Sequence, residues 1–251
     1  KKEWLFFILL VLMLFGSTLA ILQSINKNFM VKVPMRGGEL SEGIIGTPRF
    51  VNPVLAFSDP DRDLVSLIYS GLMRKDSSGT IVPDLAENYQ VSENGLAYTF
   101  ILKEKALFHD DTPVTADDIV FTINKIKDPI IKSPRKGNWD GVSVTKVDDR
   151  TVVFNLQQPY TSFLENATLG ILPKHVWENS PIELNDANIN AIGSGPYMVT
   201  DVSKQSSGTI NFYELEAFKK FSISRPYIKK MMIRFYQNEN DLITALEEKK
   251  V

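Results

Sequence analysis

The sequence predicts an α/β chain whose folded part follows one long apolar segment near the N-terminus. Three observations carry that reading. Residues 4–22 hold no charge, strand-like and helix-like runs follow one another through the rest, and turn residues separate them at short intervals. A β-branched and aromatic run between turn signals is a strand pattern, whereas apolar residues recurring at i, i+3 and i+4 mark one face of a helix.

The apolar segment WLFFILLVLMLFGSTLAIL, residues 4–22, is extended by Gln23-Ser24-Ile25. A helix of that length rises roughly 30 Å, the thickness of a bilayer core. Lys1 and Lys2 precede it, which keeps the N-terminus cytoplasmic and sends the rest outward. Two fates fit the segment. One is an uncleaved anchor holding Trp4–Ile25 in the lipid bilayer; the other is a signal peptide cut near Thr18-Leu19-Ala20. The apolar run continues through Ile21 and Leu22, where a mature start would be polar, and this favours the anchor. Either fate places the remainder outside the cytoplasm. Residues 26–36 read as a tether, with Lys27 and Lys32 as solvated positions near the membrane face.

Within the remainder, Val54–Asp59 is short and extended in character, and Asp63–Leu72 is a short helix with Leu64, Leu67 and Ile68 on one face. Asp76-Ser77-Ser78-Gly79-Thr80 is a turn. The densest local signals lie between Pro83 and Lys127. Tyr89-Gln90-Val91 and Tyr98-Thr99-Phe100-Ile101-Leu102 flank Glu93-Asn94-Gly95, which predicts a hairpin. His109–Pro113 is a polar turn. Thr115 then stands at an N-cap, Asp117 and Asp118 put negative charge in the first helical turn, and Ile119, Val120, Ile123 and Ile126 recur at helical spacing. Asp128–Trp139 is a long loop rich in Pro, Gly and Ser, of a kind that often carries function. Val142–Lys146 and Thr151–Leu156 form a second hairpin, Pro159–Leu164 starts a short helix, Phe212–Leu215 and Lys229–Tyr236 are strands, and residues 241–250 are an amphipathic helix.

Composition narrows the function classes. With 28 basic and 30 acidic residues there is no overall case for nucleic acid as a partner. Cysteine is absent, so there is no disulfide framework, thiol nucleophile or lipidated N-terminal cysteine. The two histidines, His109 and His175, lie far apart and outside any metal or serine–histidine motif, so neither a zinc site nor a peptidase is expected. Gly193-Ser194-Gly195 is not the G-x-S-x-G elbow of hydrolases, because the serine has no intervening residue on either side. No enzyme activity and no cofactor are expected.

Several ordered stretches together carry a family resemblance: Val82-Pro83-Asp84-Leu85-Ala86-Glu87, Tyr98-Thr99-Phe100, Phe108-His109-Asp110, Pro113-Val114-Thr115-Ala116-Asp117-Asp118, Ile171-Leu172-Pro173-Lys174-His175, and Gly193-Ser194-Gly195-Pro196-Tyr197. They resemble the extracellular solute-binding proteins, family 5, the peptide-binding and related receptors of ABC importers. Asp111 departs from that pattern where the family usually has Gly, and Asn52 where it usually has Asp; both exchanges are mild in turns.

The resemblance implies a periplasmic-binding-protein-like fold (type II, cluster C). Residues 37–251 would form the N-terminal part of a larger solute-binding domain: a mixed-sheet lobe with an inserted subdomain at about 73–140, closing against a second lobe. Peptides would be held by β-augmentation and passed to the permease subunits in the membrane. It further implies that Phe57, Ser58 and Asp59 edge the cleft and that Arg135, with Trp139 beside it, meets a ligand carboxylate and an apolar side chain. Ser194 and Gly195 would face the ligand from the opposite side of a groove that Phe57 flanks. Plainer roles stay open: Phe57 as a core side chain, Arg135 as a solvated cation beside a capping Trp139, and His175 as a packing or capping residue. Nickel, haem or sugar as ligand, and an anchored sensor or assembly module on the same fold, also stay open.

Overall fold

The structure is a computed structural model describing residues 2–29 and 33–251, and it divides into two units, Lys1–Met35 and Arg36–Val251. Lys32 of the expected tether lies outside the described residues. The first unit is helix α1, Lys2–Phe29, so helix continues four residues into the stretch expected as tether. Its Lys2–Ile25 portion is long and apolar enough to cross a membrane, with Trp4, Phe7 and Leu12 among its exposed side chains. Ser17 and Thr18 turn their hydroxyls back onto the Leu14 carbonyl, which satisfies them inside the helix.

The second unit runs in the order β1 (Gly37–Ile45), α2 (Asp59–Ile68), β2 (Met73–Lys75), β3 (Ile81–Pro83), β4 (Ala86–Val91), β5 (Ala97–Leu102), α3 (Ala116–Lys127), β6 (Val142–Lys146), β7 (Thr151–Leu156), α4 (Phe163–Asn166), α5 (Lys174–Trp177), β8 (Tyr197–Lys204), β9 (Ile210–Ala217), β10 (Ile228–Tyr236) and α6 (Glu239–Glu247). Two four-stranded sheets organise it. The first, ordered β1-β10-β9-β8, is mixed: β1 lies parallel to β10, while β10, β9 and β8 are antiparallel neighbours. The second, β4-β5-β7-β6, is antiparallel throughout. The sequence dictates which face each sheet buries. Tyr213, Leu215 and Ala217 alternate along β9, and Met231, Ile233 and Phe235 along β10.

Tyr98, Phe100 and Leu102 on β5 and Val152, Phe154 and Leu156 on β7 point to one side, where α3 buries Ile119, Ile123 and Ile126. The Phe100 and Phe154 rings meet edge to face at 5.7 Å. Burying each such side chain stabilises the fold by about 1.5–3 kcal/mol. At the start of α3, Asp118 accepts from both the backbone and hydroxyl of Thr115 (2.8 and 2.9 Å) and from the Lys174 amide (2.8 Å). One carboxylate therefore closes the helix start and ties α5 to it.

Three elements differ from the sequence reading. The second sheet runs to Leu156, past the subdomain boundary expected at about 140. Strand β8 was not anticipated. Helix α2 begins four residues before the expected Asp63 and ends at Ile68, and the six residues Val54–Asp59 include a turn where an extended stretch was expected.

Candidate functional site

The turn that leads into α2 is built by two buried polar residues. Asn52 captures the next three amides, Val54 through its side chain (2.8 Å), Leu55 and Ala56 through its carbonyl (3.1 and 2.8 Å), which is why the chain turns instead of extending. Asp61, 2% exposed, accepts from the amides of Arg49 (2.7 Å), Phe50 (3.0 Å), Phe57 (3.4 Å) and Ser58 (3.2 Å). Ser58 is the N-cap of α2, and with Asp61 three residues on it completes a capping box, with Pro60 in the first turn. The signal S-x-x-D was present in the sequence, yet Asp61 was missed as the organiser of this segment.

That framework leaves Phe57 unsupported by the core, 75% exposed. Its carbonyl and the Asp59 carboxylate are both held by Arg62, a cation the sequence reading did not select. The Asp128–Trp139 loop is tied alongside: Ser133 donates from its hydroxyl to the Val54 carbonyl (2.6 Å) and accepts from the Arg135 amide (3.2 Å). A cavity of about 200 Å³ results, lined by Ala56, Arg62, Arg135, Asn138, Trp139 and Glu165 among others. Trp139, one of the lining residues, is buried and packs on Phe154 and Phe163 at 5.8 and 6.0 Å, so its ring is chiefly a core group. The structure thus brings the Phe57–Asp59 turn, Arg135 and Trp139 into one neighbourhood.

Ser194 and Gly195 do not join it. Ser194 is 1% exposed, and the Gly195 amide donates to the carbonyl of Ile68, at the last turn of α2 (2.8 Å). A Cβ on Gly195 would stand 2.6 Å from the Ile68 carbonyl carbon, and one on Gly193 2.0 Å from the Ile68 oxygen. The close backbone approach that two glycines permit is used here by the end of α2. The space beside Gly193 and Gly195 is thus taken up by the end of the chain's own helix α2.

His109 braces the same loop. Its Nδ1 accepts from the Gly193 amide (3.3 Å), which leaves Nε2 as the donor to the Gly195 carbonyl (3.1 Å), and its backbone amide donates to the Gly193 carbonyl (2.8 Å). Those bonds require the neutral ring, and burial pushes its pKa down to about 4. His175 pairs instead with Asp110 (2.7 Å). Asp111 takes φ 69°, the left-handed conformation the family's usual glycine would adopt there. Among the described residues no group of three or more potential ligands could hold a metal ion.

A second and larger cavity, about 600 Å³, lies between β2 and the Phe221–Pro226 loop and shares Ser66, Tyr69 and Thr168 with the first. Sequence reasoning missed it, because its walls come from segments distant in the chain.

A mixed sheet carrying a smaller antiparallel sheet defines the class by its architecture: a fold of the periplasmic-binding-protein type. Residues 80–251 match the model of the bacterial extracellular solute-binding proteins, family 5. The chain belongs to that family. It is 31% identical over 249 residues to the oligopeptide-binding protein AppA of Bacillus subtilis, covering 96% of this chain and 45% of that protein. The structure of AppA in complex with a nonapeptide superposes with a TM-score of 0.77 at 30% identity, covering 87% of this chain and 44% of that one. NikZ of Campylobacter jejuni, solved with Ni(L-His), gives a TM-score of 0.76 at 28% identity, covering 85% and 42%. The chain spans a little under half the length of these relatives.

Proposed function

We propose that this chain is the N-terminal part of an extracytoplasmic receptor that captures peptides for an ABC importer. The observation that carries the reading is the likeness to an oligopeptide-binding protein along nearly the whole chain, in sequence and in fold. The site supports it. An exposed Phe57, whose carbonyl is held by Arg62, and a cavity that Arg62 and Arg135 both line offer an apolar contact and cations for a carboxylate.

In this reading Phe57 and Arg135 meet ligand directly, Ser58 and Asp59 hold the turn, and Trp139 supports Arg135 from below. Ser194 and Gly195 act through α2, which they fix in place. A second lobe supplies the opposing wall and closes over the peptide, and α1 holds the receptor in the membrane beside its permease. Main-chain bonds to the peptide backbone supply affinity with little dependence on side chains.

The test is mass spectrometry of molecules co-purifying with the whole protein, followed by calorimetry with the peptides found. Peptides that bind saturably, and bind more weakly to the Arg135→Ala variant, are the expected result. Co-purification of nickel complexes or sugars alone, with no saturable peptide binding, would overturn the reading.

A further inference from the structure

We propose that the cavity between β2 and the Phe221–Pro226 loop is a second binding site, taking a small zwitterion of amino-acid size whose ammonium group meets Asp84 and Ser70. It goes beyond the peptide groove and does not depend on it.

Asp84 and Ser70 line this cavity and are 5% and 2% exposed. Asp84 Oδ1 and Ser70 Oγ make no hydrogen bond. Buried polar atoms left so are rare in native structures and call for a reason. The backbones that carry them are fixed: the Asp84 amide donates to the Leu72 carbonyl (2.9 Å), and the Ser70 carbonyl accepts from the Ile171 amide (2.9 Å). Arg74 and Lys103 are near enough for their charge to act on Asp84, yet no ion pair within 4.0 Å reaches its carboxylate among the described residues. Burial raises its pKa to about 6, against the opposing pull of Ser70, Lys103 and Arg74. Ser70 exerts that pull without a well-aligned bond to the carboxylate.

The chemistry of the ligand follows from the lining. An ionised carboxylate only accepts, so its partner must donate. A divalent cation would need about six oxygen ligands, and here one carboxylate and one hydroxyl stand beside a guanidinium that repels it. Phe221, Ile223 and Pro226 give the cavity an apolar wall that offers water no partners. An ammonium on Asp84, a carboxylate on Arg74, whose buried Nε also lacks an acceptor, and an apolar side chain on that wall use each part of the site. The volume lies in the range of small-molecule sites.

The test titrates the whole protein with L-leucine, isoamylamine and 4-methylpentanoate by calorimetry. Saturable 1:1 binding of L-leucine is expected, with weaker binding of the amine and none of the acid. Asp84→Asn should weaken L-leucine by about 10- to 100-fold, the range for losing a charge-assisted bond. Ile223→Trp, at an exposed position on the wall, should block the cavity without disturbing the core. Peptide affinity should be unchanged in both variants, which separates this site from the groove. Unaltered L-leucine binding in both variants, or no saturation below about 10 mM, where even millimolar affinity would register, would overturn the proposal.

Discussion

Helix α2 is held at both ends, and the two ends could hardly differ more. At its start, Asn52, Ser58 and Asp61 use side chains to gather backbone amides, and the turn they make pushes Phe57 into solvent at 75% exposure. At its end, Gly193 and Gly195 have no side chains to use, and the helix carbonyls press against their backbone with Ser194 buried at 1%. Family likeness alone marked both segments as ligand-facing. Their physics leaves one open to solvent and makes the other a joint.

The largest effect should come from forcing a side chain into that joint. Gly193→Val would place a Cβ 2.0 Å from the Ile68 carbonyl oxygen, a backbone atom that cannot yield. A loss of about 4 kcal/mol or more is expected in urea unfolding; a loss below 1 kcal/mol would show that the joint is soft.

His109 supplies the next. Its folded pKa of about 4 lies below the ordinary 6.5, so the unfolded chain takes up the proton first as the medium is acidified. Stability should fall as pH drops from 6.5 towards 4, by up to about 3 kcal/mol. His109→Asn should flatten that slope.

Asp84 works in the other direction. Its folded pKa of about 6 lies above 3.8, so the folded chain holds the proton longer and stability declines as pH rises from about 4 to 6. Asp84→Asn should therefore raise stability at pH 7 by about 2–3 kcal/mol. It should also steepen the acid loss due to His109, which Asp84 offsets in the native protein. A variant less stable than the native chain at pH 7 would contradict the unpaired buried carboxylate.

The smallest effect belongs to the open end. Phe57→Ala removes an exposed side chain and should change stability by less than about 0.5 kcal/mol while weakening peptide binding. If thermal unfolding shifts more than peptide affinity does, the contrast between the ends of α2 fails.

What was legible in the sequence was local. The two hairpins of the second sheet and the start of α3 fall within runs of a few residues, where alternation, Asn-Gly turn chemistry and Thr115 with its acidic first turn all agree. The start of α2 carried an equally local signal, Ser58-Asp59-Pro60-Asp61, but reading Val54–Asp59 as one extended piece hid it. What lies against Gly195, and what surrounds Asp84, could not be read at all. Those neighbours are brought together by tertiary packing of segments as far apart as Ile68 and Gly195, and no periodicity records it.

The parallel pairing of β1 with β10 sets a timetable for assembly. Gly37 finds its partner in Ile228, about 190 positions later, so β1 has no hydrogen-bonding neighbour in this sheet until β10 has been made. During that wait the antiparallel β4-β5-β7-β6 sheet, whose partners are close in sequence, is free to form. The smaller sheet's contacts can then form before the larger one closes, and the nine-residue β1, unpaired until β10 arrives, presents an open edge to wrong partners in the meantime.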